Sequence, residues 1–127
     1  MKIIDANIVL RYLLNDVKDL ADKAALIIEN DEVIIPVEII AEIVYVLEKV
    51  YKVGRADIFS SISGLMNYHN VFIVENEVVY SALRYYAGLN IDFVDCLLLS
   101  YHVVKQYQVD TFDEKLKKRL EIETNNE

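Results

Sequence analysis

Three consecutive apolar residues, Val33-Ile34-Ile35, followed at once by Pro36, constrain this chain more than any other feature. A run so short and so apolar reads as a strand covered on both faces, as at a central position of a parallel sheet. Pro36 then opens a helix, where its missing N–H costs nothing. The same unit recurs along the chain. Lys2–Ile4 reads as a strand and Ala6–Leu14 as a helix with Ile8, Leu10, Tyr12, Leu13 and Leu14 on its apolar side. Val71–Val74 reads as a third strand, leading into a helix over Glu75–Ala87 with Val78, Val79, Ala82, Leu83 and Tyr86 inward. Gln108–Thr111 reads as a short fourth strand, and a last helix carries Lys115–Arg119. The remaining helices are expected over Ala21–Asn30, Pro36–Tyr51, Arg55–Tyr68 and Cys96–Tyr107, the last with Leu97, Leu98, Tyr101 and Val104 inward. Strands alternating with helices predict an α/β fold: a single domain with a central, mainly parallel sheet of about four or five short strands flanked by helices. That domain is expected over residues 1–120, with residues 121–127 as a polar, frayed tail.

Composition narrows the class. The 127 residues are 54% hydrophobic with one Pro and three Gly, enough to bury a full core and unlike a disordered chain. The lone Cys96 excludes an intramolecular disulfide and fits a reducing cytosol. Residues 1–14 lack a signal-cleavage pattern, and no apolar run approaches the ~18–20 residues that span a bilayer. The expected location is the cytoplasm, with no membrane partner. A net charge of −8 argues against a generic basic nucleic-acid binder, an objection that weakens if divalent ions neutralise a cluster of acids.

Acids stand where such a fold places ligands. In a parallel sheet the carboxyl ends of the strands open onto the crevice where ligands bind. Asp5 and Asp113 follow predicted strands, Asp95 sits at a helix start, and Glu42 lies on the helix that follows Val33–Ile35. Four carboxylates in one pocket would repel and need cations. Hard oxygen ligands select Mg²⁺ or Mn²⁺. A carboxylate-rich metal site in an α/β domain points to phosphoryl chemistry.

The stretches Ile3–Leu13, Pro36–Leu47, Asp92–Leu97 and Thr111–Lys115 together resemble the PIN-domain family, and most of all the VapC-type toxins of prokaryotic toxin–antitoxin pairs. The resemblance covers residues 2–120, in the same order and at compatible spacings. It implies a Mg²⁺- or Mn²⁺-dependent endoribonuclease with a central parallel sheet, one or two ions per site, a homodimer and a cognate antitoxin. Its acids would fall on Asp5, Glu42, Asp95 and Asp113 as catalytic residues, with Asp5, Asp95 and Asp113 on the metal and Glu42 completing the site or activating water. Asn7, Thr111 and the additional acid Asp92 match supporting positions. Cys96 departs from the pattern, which has a small residue such as Ala there.

Each assignment has a plainer rival. Asp5 could simply cap its helix, and Asn7 could bond to backbone at the helix start. Glu38 shares a face with Glu42; a carboxylate on so apolar a helix is costly if buried, an argument that does not separate the two. Asp92 and Asp95, three apart, divide between cap and ligand, with Asp95 the ligand. Arg11 is a candidate phosphate contact or the partner of an acid. His69 and His102 lack ligand partners at metal spacing. Lys115, Lys117, Lys118 and Arg119 could meet phosphate or form a solvated last turn. At the level of function, the rival is a non-catalytic module that binds a protein or RNA through its acidic pocket.

Overall fold

The computed structural model describes residues 1–126. The chain forms two compact units, the first from Met1 to Asn76 and the second from Glu77 onward.

The first unit is built on three parallel strands, β1 (Lys2–Ile3), β2 (Val33–Ile35) and β3 (Val71–Ile73), in the order β1-β2-β3. Lys2 pairs with Val33 and Ile3 with Ile34, while Ile34 pairs with Phe72 and Ile35 with Ile73. The central place of β2 is the one its sequence predicts. Its cover is not equal on both faces: Val33 and Ile35 are buried and Ile34 is half-buried. Ile34 belongs to a row with Ile3 and Phe72, which are 73% and 43% exposed.

Helix α1 (Ala6–Leu14) has the predicted limits and stops where Asn15 turns left-handed at φ 50°. Its buried residues are Ala6, Val9 and Leu10, so the inward face is centred on Val9 rather than on Ile8 and Tyr12. Helix α2 (Lys18–Asn30) starts three residues before the prediction. Its first turn, Lys18-Asp19-Leu20, is exposed and carries no buried side chain to mark it, yet the Ala21 N–H already bonds to the Val17 carbonyl at 2.8 Å. Helix α3 (Val37–Lys49) begins just after Pro36, and α4 spans Arg55–Met66. Helix α1 packs on α2 and α3, and α4 on α3 and β3.

The sequence predicts α3 to be apolar around its circumference. In the structure it buries Ile40, Ile43, Val44 and Leu47 and exposes Glu38, Glu42, Tyr45 and Lys49, spaced 4, 3 and 4 residues apart along one stripe. That is ordinary amphipathic geometry, hidden in the sequence because Tyr45 belongs to the outer stripe.

The second unit contains α5 from its second residue (Asn76–Gly88), α6 (Phe93–Lys105) and α7 (Glu114–Asn125). All five inward residues predicted on α5 are buried. Helix α6 faces inward with Phe93, Cys96, Leu97, Leu99 and Ser100, whereas Leu98 is 37% exposed and Tyr101 and Val104 are half-buried. Phe93 meets Tyr86 edge to face, with ring centroids 5.7 Å apart. The buried Ser100 hydroxyl is satisfied by Ser81 at 2.9 Å. Leu99, Leu116 and Leu120 join α6 to α7, with Val109 packed against them.

Residues 108–111 do not form the predicted fourth strand, and among the described residues the sheet has three. Val109 turns onto the leucine cluster, and the Thr111 hydroxyl accepts the Asp113 N–H at 3.0 Å. Val109 is thereby used to pack α6 against α7 rather than to face a sheet. Residues 121–125, expected in the tail, continue α7, and Glu127 lies outside the described residues. Among the described residues no helix is long and apolar enough to cross a membrane.

The two faces of α3 should differ sharply in energy. Truncating buried Ile40 to Ala should destabilise by about 2–5 kcal/mol, whereas Tyr45→Ala should stay within about 0.5 kcal/mol. Urea unfolding followed by circular dichroism reads both, and equal losses would refute the assigned face.

Candidate active site

In the first unit, Asp5 stands just past the carboxyl end of β1, in extended backbone (φ −89°, ψ 176°). Its Oδ1 accepts the Ile8 N–H at 3.1 Å, so it caps α1. Capping and site membership are not alternatives here, since a carboxylate has a second oxygen. Asp5 and Asn7 are exposed. Glu42 and Glu38 both lie on the exposed stripe of α3, so the cost of a buried carboxylate explains neither. Only the family pattern singles out Glu42.

Arg11 is engaged within the first unit. Its guanidinium pairs with Asp16 at 2.9 Å and donates to the Tyr51 hydroxyl at 2.8 Å. Those bonds favour its charged form, chiefly through Tyr51, against the effect of burial. Its side chain braces the end of α1 against the chain that follows α3. Of the two open roles for Arg11, pairing with an acid is the one the structure displays.

In the second unit, Asp92, Asp95 and Asp113 line one cavity of about 340 Å³ together with Asn90, Ile91 and Lys115. Asp113 caps α7, its Oδ1 accepting the Leu116 N–H at 2.9 Å. Thr111 fixes the approach by accepting the Asp113 N–H. Asp92 occupies the cap position of α6 without a capping bond from its side chain. Asp95, in the first turn of α6, is half-buried. Burial first, then the negative charges of Asp113 and Asp92, push its carboxyl above the ordinary value of 3.8.

The sequence matches the PIN domain family over residues 2–120. This chain belongs to the PIN domain family. PIN domains are generally nucleases and typically use divalent metal ions. Comparison with curated proteins and with solved structures found no match.

The cavity of this PIN domain suits a hard divalent cation in its donor chemistry, because its acidic walls supply carboxylate oxygens. Among the described residues no group of three or more His, Cys, Asp or Glu side chains is gathered closely enough to hold a metal. Three aspartates can line a cavity of that size without their oxygens meeting at one point. Mg²⁺ does not require such a cage: it keeps several waters and is held through one or two carboxylates plus substrate phosphate. Asp113 and the half-buried Asp95, whose carboxyl is pushed up by burial and then by the charge of Asp113, are the carboxylates that fit this use.

Asn90 and Ile91 are the cavity residues that sequence reasoning did not place, and Lys115, weighed there between a phosphate contact and a solvated last turn, is the third residue beside the aspartates. The Lys115 ammonium donates to the Asn90 carbonyl at 3.3 Å, closing one wall. Its position two residues after Asp113 is the signal in the sequence that separates it from Lys117, Lys118 and Arg119. The run Lys115–Arg119 lies in the first two turns of α7. His69 is exposed, and His102 bonds to the Tyr107 carbonyl and the Thr124 hydroxyl, neither of them at the acids.

A carboxyl whose folded-state pKa is raised binds protons more tightly in the native chain. Its penalty on stability is therefore absent below the ordinary pKa of 3.8 and grows as pH rises through the folded value. Asp95→Asn should raise Tm at neutral pH, and the gain should vanish as the pH falls toward 3.8, where the wild-type carboxyl is itself protonated. Thermal melts across this range test it, and a gain independent of pH would contradict the electrostatic origin.

Proposed function

We propose that this PIN domain is a Mg²⁺- or Mn²⁺-dependent endoribonuclease that hydrolyses RNA phosphodiester bonds. In this reading it is the toxin of a toxin–antitoxin pair, a cytoplasmic homodimer restrained by its cognate antitoxin. The observation that supports the nuclease reading most directly is the clustering of Asp92, Asp95 and Asp113 on one cavity, with Asp95 pushed toward its neutral form. An acid held in that state is unfavourable for folding and is relieved by a cation. The toxin role rests on the resemblance of the four sequence stretches alone.

In the proposed reaction, Asp95 and Asp113, with Asp5 added on the sequence resemblance, would hold one or two ions. When bound, the divalent ion offsets the carboxylate charge and the negative charge that builds on the phosphate oxygens. Asp113 is kept in one orientation by the Leu116 N–H, and Thr111 fixes the backbone before it. Asp5 is oriented likewise by the Ile8 N–H. Glu42, open to solvent, either completes the ligand set or takes a proton from the attacking water. The water oxygen then bonds to phosphorus as the bond to the leaving oxygen breaks in line.

Asparagine caps a helix about as well as aspartate, so Asp5→Asn and Asp113→Asn remove charge while sparing the fold. Cleavage of a mixed pool of single-stranded and structured RNA should be discrete, dependent on Mg²⁺ or Mn²⁺, and lost to excess chelator. Either variant should cut at least roughly a hundredfold more slowly. Full activity in a variant would overturn its assignment. No cleavage together with no divalent-ion binding would favour a non-catalytic module. Growth arrest on expression in a prokaryotic host, absent for Asp5→Asn, tests the toxin role.

A further inference from the structure

Among the described residues, Lys115 is the one cation that lines the aspartate cavity. Lys117, two residues on, lines a different cavity with Glu121 and Thr124. An ammonium beside three carboxylates ordinarily pairs with one of them. Lys115 does not: among the described residues it forms no ion pair with Asp92, Asp95 or Asp113, and its bond is to the neutral Asn90 carbonyl at 3.3 Å. That contact uses one of the three donors of an ammonium. The backbone beneath it is fixed, because Asp113 accepts the N–H of fully buried Leu116 at 2.9 Å. The side chain itself is exposed. A positive charge therefore stands at the Asn90 wall, open to solvent and turned away from the acids.

We propose that Lys115 is a substrate-contact residue, whose ammonium receives a phosphate oxygen at the Asn90 wall while the aspartates hold the divalent ion. The inference rests on the nuclease reading above and adds to it a residue and a division of labour within the cavity. A cavity of about 340 Å³ is roughly 9 Å across if spherical, within the Debye length of ~10 Å at 0.1 M salt, so charges on its wall act on one another. An ammonium that is not paired with a carboxylate repels a divalent ion there and lowers the site's affinity for it. Lys115 is therefore poorly explained as part of the ion's own site. Its complement is an anion. A lysine is a compact point charge on a flexible stem, with rotatable donors that turn to meet phosphate oxygens. With an ion bound, the carboxylate charge that repels phosphate is offset, and Lys115 supplies a second positive contact from a different wall.

This role moves two measurements in opposite directions. Lys115→Gln removes the charge but can still donate to the Asn90 carbonyl, and Lys115→Arg keeps the charge. Mn²⁺ binding, followed by the electron paramagnetic resonance of the free ion, should be roughly threefold or more tighter in Lys115→Gln than in wild type, because a like charge is gone. Inorganic phosphate at low millimolar concentration should tighten Mn²⁺ binding in wild type and in Lys115→Arg, and have no such effect in Lys115→Gln. RNA cleavage at saturating Mn²⁺ should nevertheless fall roughly tenfold or more in Lys115→Gln. Since the side chain is exposed, circular dichroism should be the same for all three proteins. A lysine that merely held Asn90 would leave Lys115→Gln like wild type in all three measurements. If Lys115→Gln binds Mn²⁺ no more tightly, or keeps the phosphate effect and the cleavage rate, the role of Lys115 is wrong and the nuclease reading stands. If wild type neither binds Mn²⁺ nor cuts any RNA in the pool, the nuclease reading fails and this inference falls with it.

Discussion

In each unit an aspartate begins a helix and is bound to it. Asp5 takes the Ile8 N–H at the start of α1, and Asp113 takes the Leu116 N–H at the start of α7. The bond satisfies a backbone donor that would otherwise be orphaned and contributes about 1 kcal/mol to the helix. It also fixes the side-chain rotamer, so the second oxygen is presented in a defined direction. The positive end of the helix lowers the cost of the charge there. One interaction therefore serves the fold and arranges the site. This is why alanine and asparagine at these positions are different experiments: the first removes the cap and the charge, the second only the charge. At α6 the cap residue Asp92 makes no such bond, and Asp95 in the first turn is the acid that carries the effect of crowding.

Much of this arrangement was legible in the residues, wherever a boundary coincides with a change of chemistry. The limits of α1 are marked by Asp5 and Asn15, and β2 by Asp31-Glu32 before it and Pro36 after it. The inward face of α5 is readable because its apolar residues recur at helical spacing with polar ones between them. The pattern fails where apolar residues are too many to choose among. On α6, Leu97, Leu98 and Leu99 are adjacent, and only packing decides that Leu98 is the outward one. On α3 a tyrosine among valines and isoleucines conceals the outer stripe that carries Glu42. The segment 108–111 reads as a strand, but Val109 packs on the leucines of α6 and α7, a contact between distant residues that no local pattern announces. The acids of the second unit were legible individually. Their meeting on one cavity depends on how α6 packs against α7, which no local pattern encodes.

The length of α7 changes the electrostatic reading of its basic residues. A helix ending near residue 120 would place Lys115–Arg119 at its negative end, a favourable and unremarkable position. Because α7 runs to Asn125, these cations occupy the positive end, where the dipole opposes them. Local partners offset this: Arg119 pairs with Glu123 at 2.6 Å and lies over the Tyr85 ring, and Lys115 reaches the Asn90 carbonyl. Lys115 is then a cation on the wall of the cavity that Asp92, Asp95 and Asp113 share.

An acidic PIN domain that acted on an anionic polymer would have to divide the work of recognition. Phosphates are drawn by cations, and here the cations among the side chains are outnumbered, 13 Lys and Arg against 21 Asp and Glu. A divalent ion at the carboxylates would supply attraction only where chemistry occurs, and nothing along the rest of the strand. Contacts with bases are free of that constraint, because stacking depends on flat apolar surface rather than on charge.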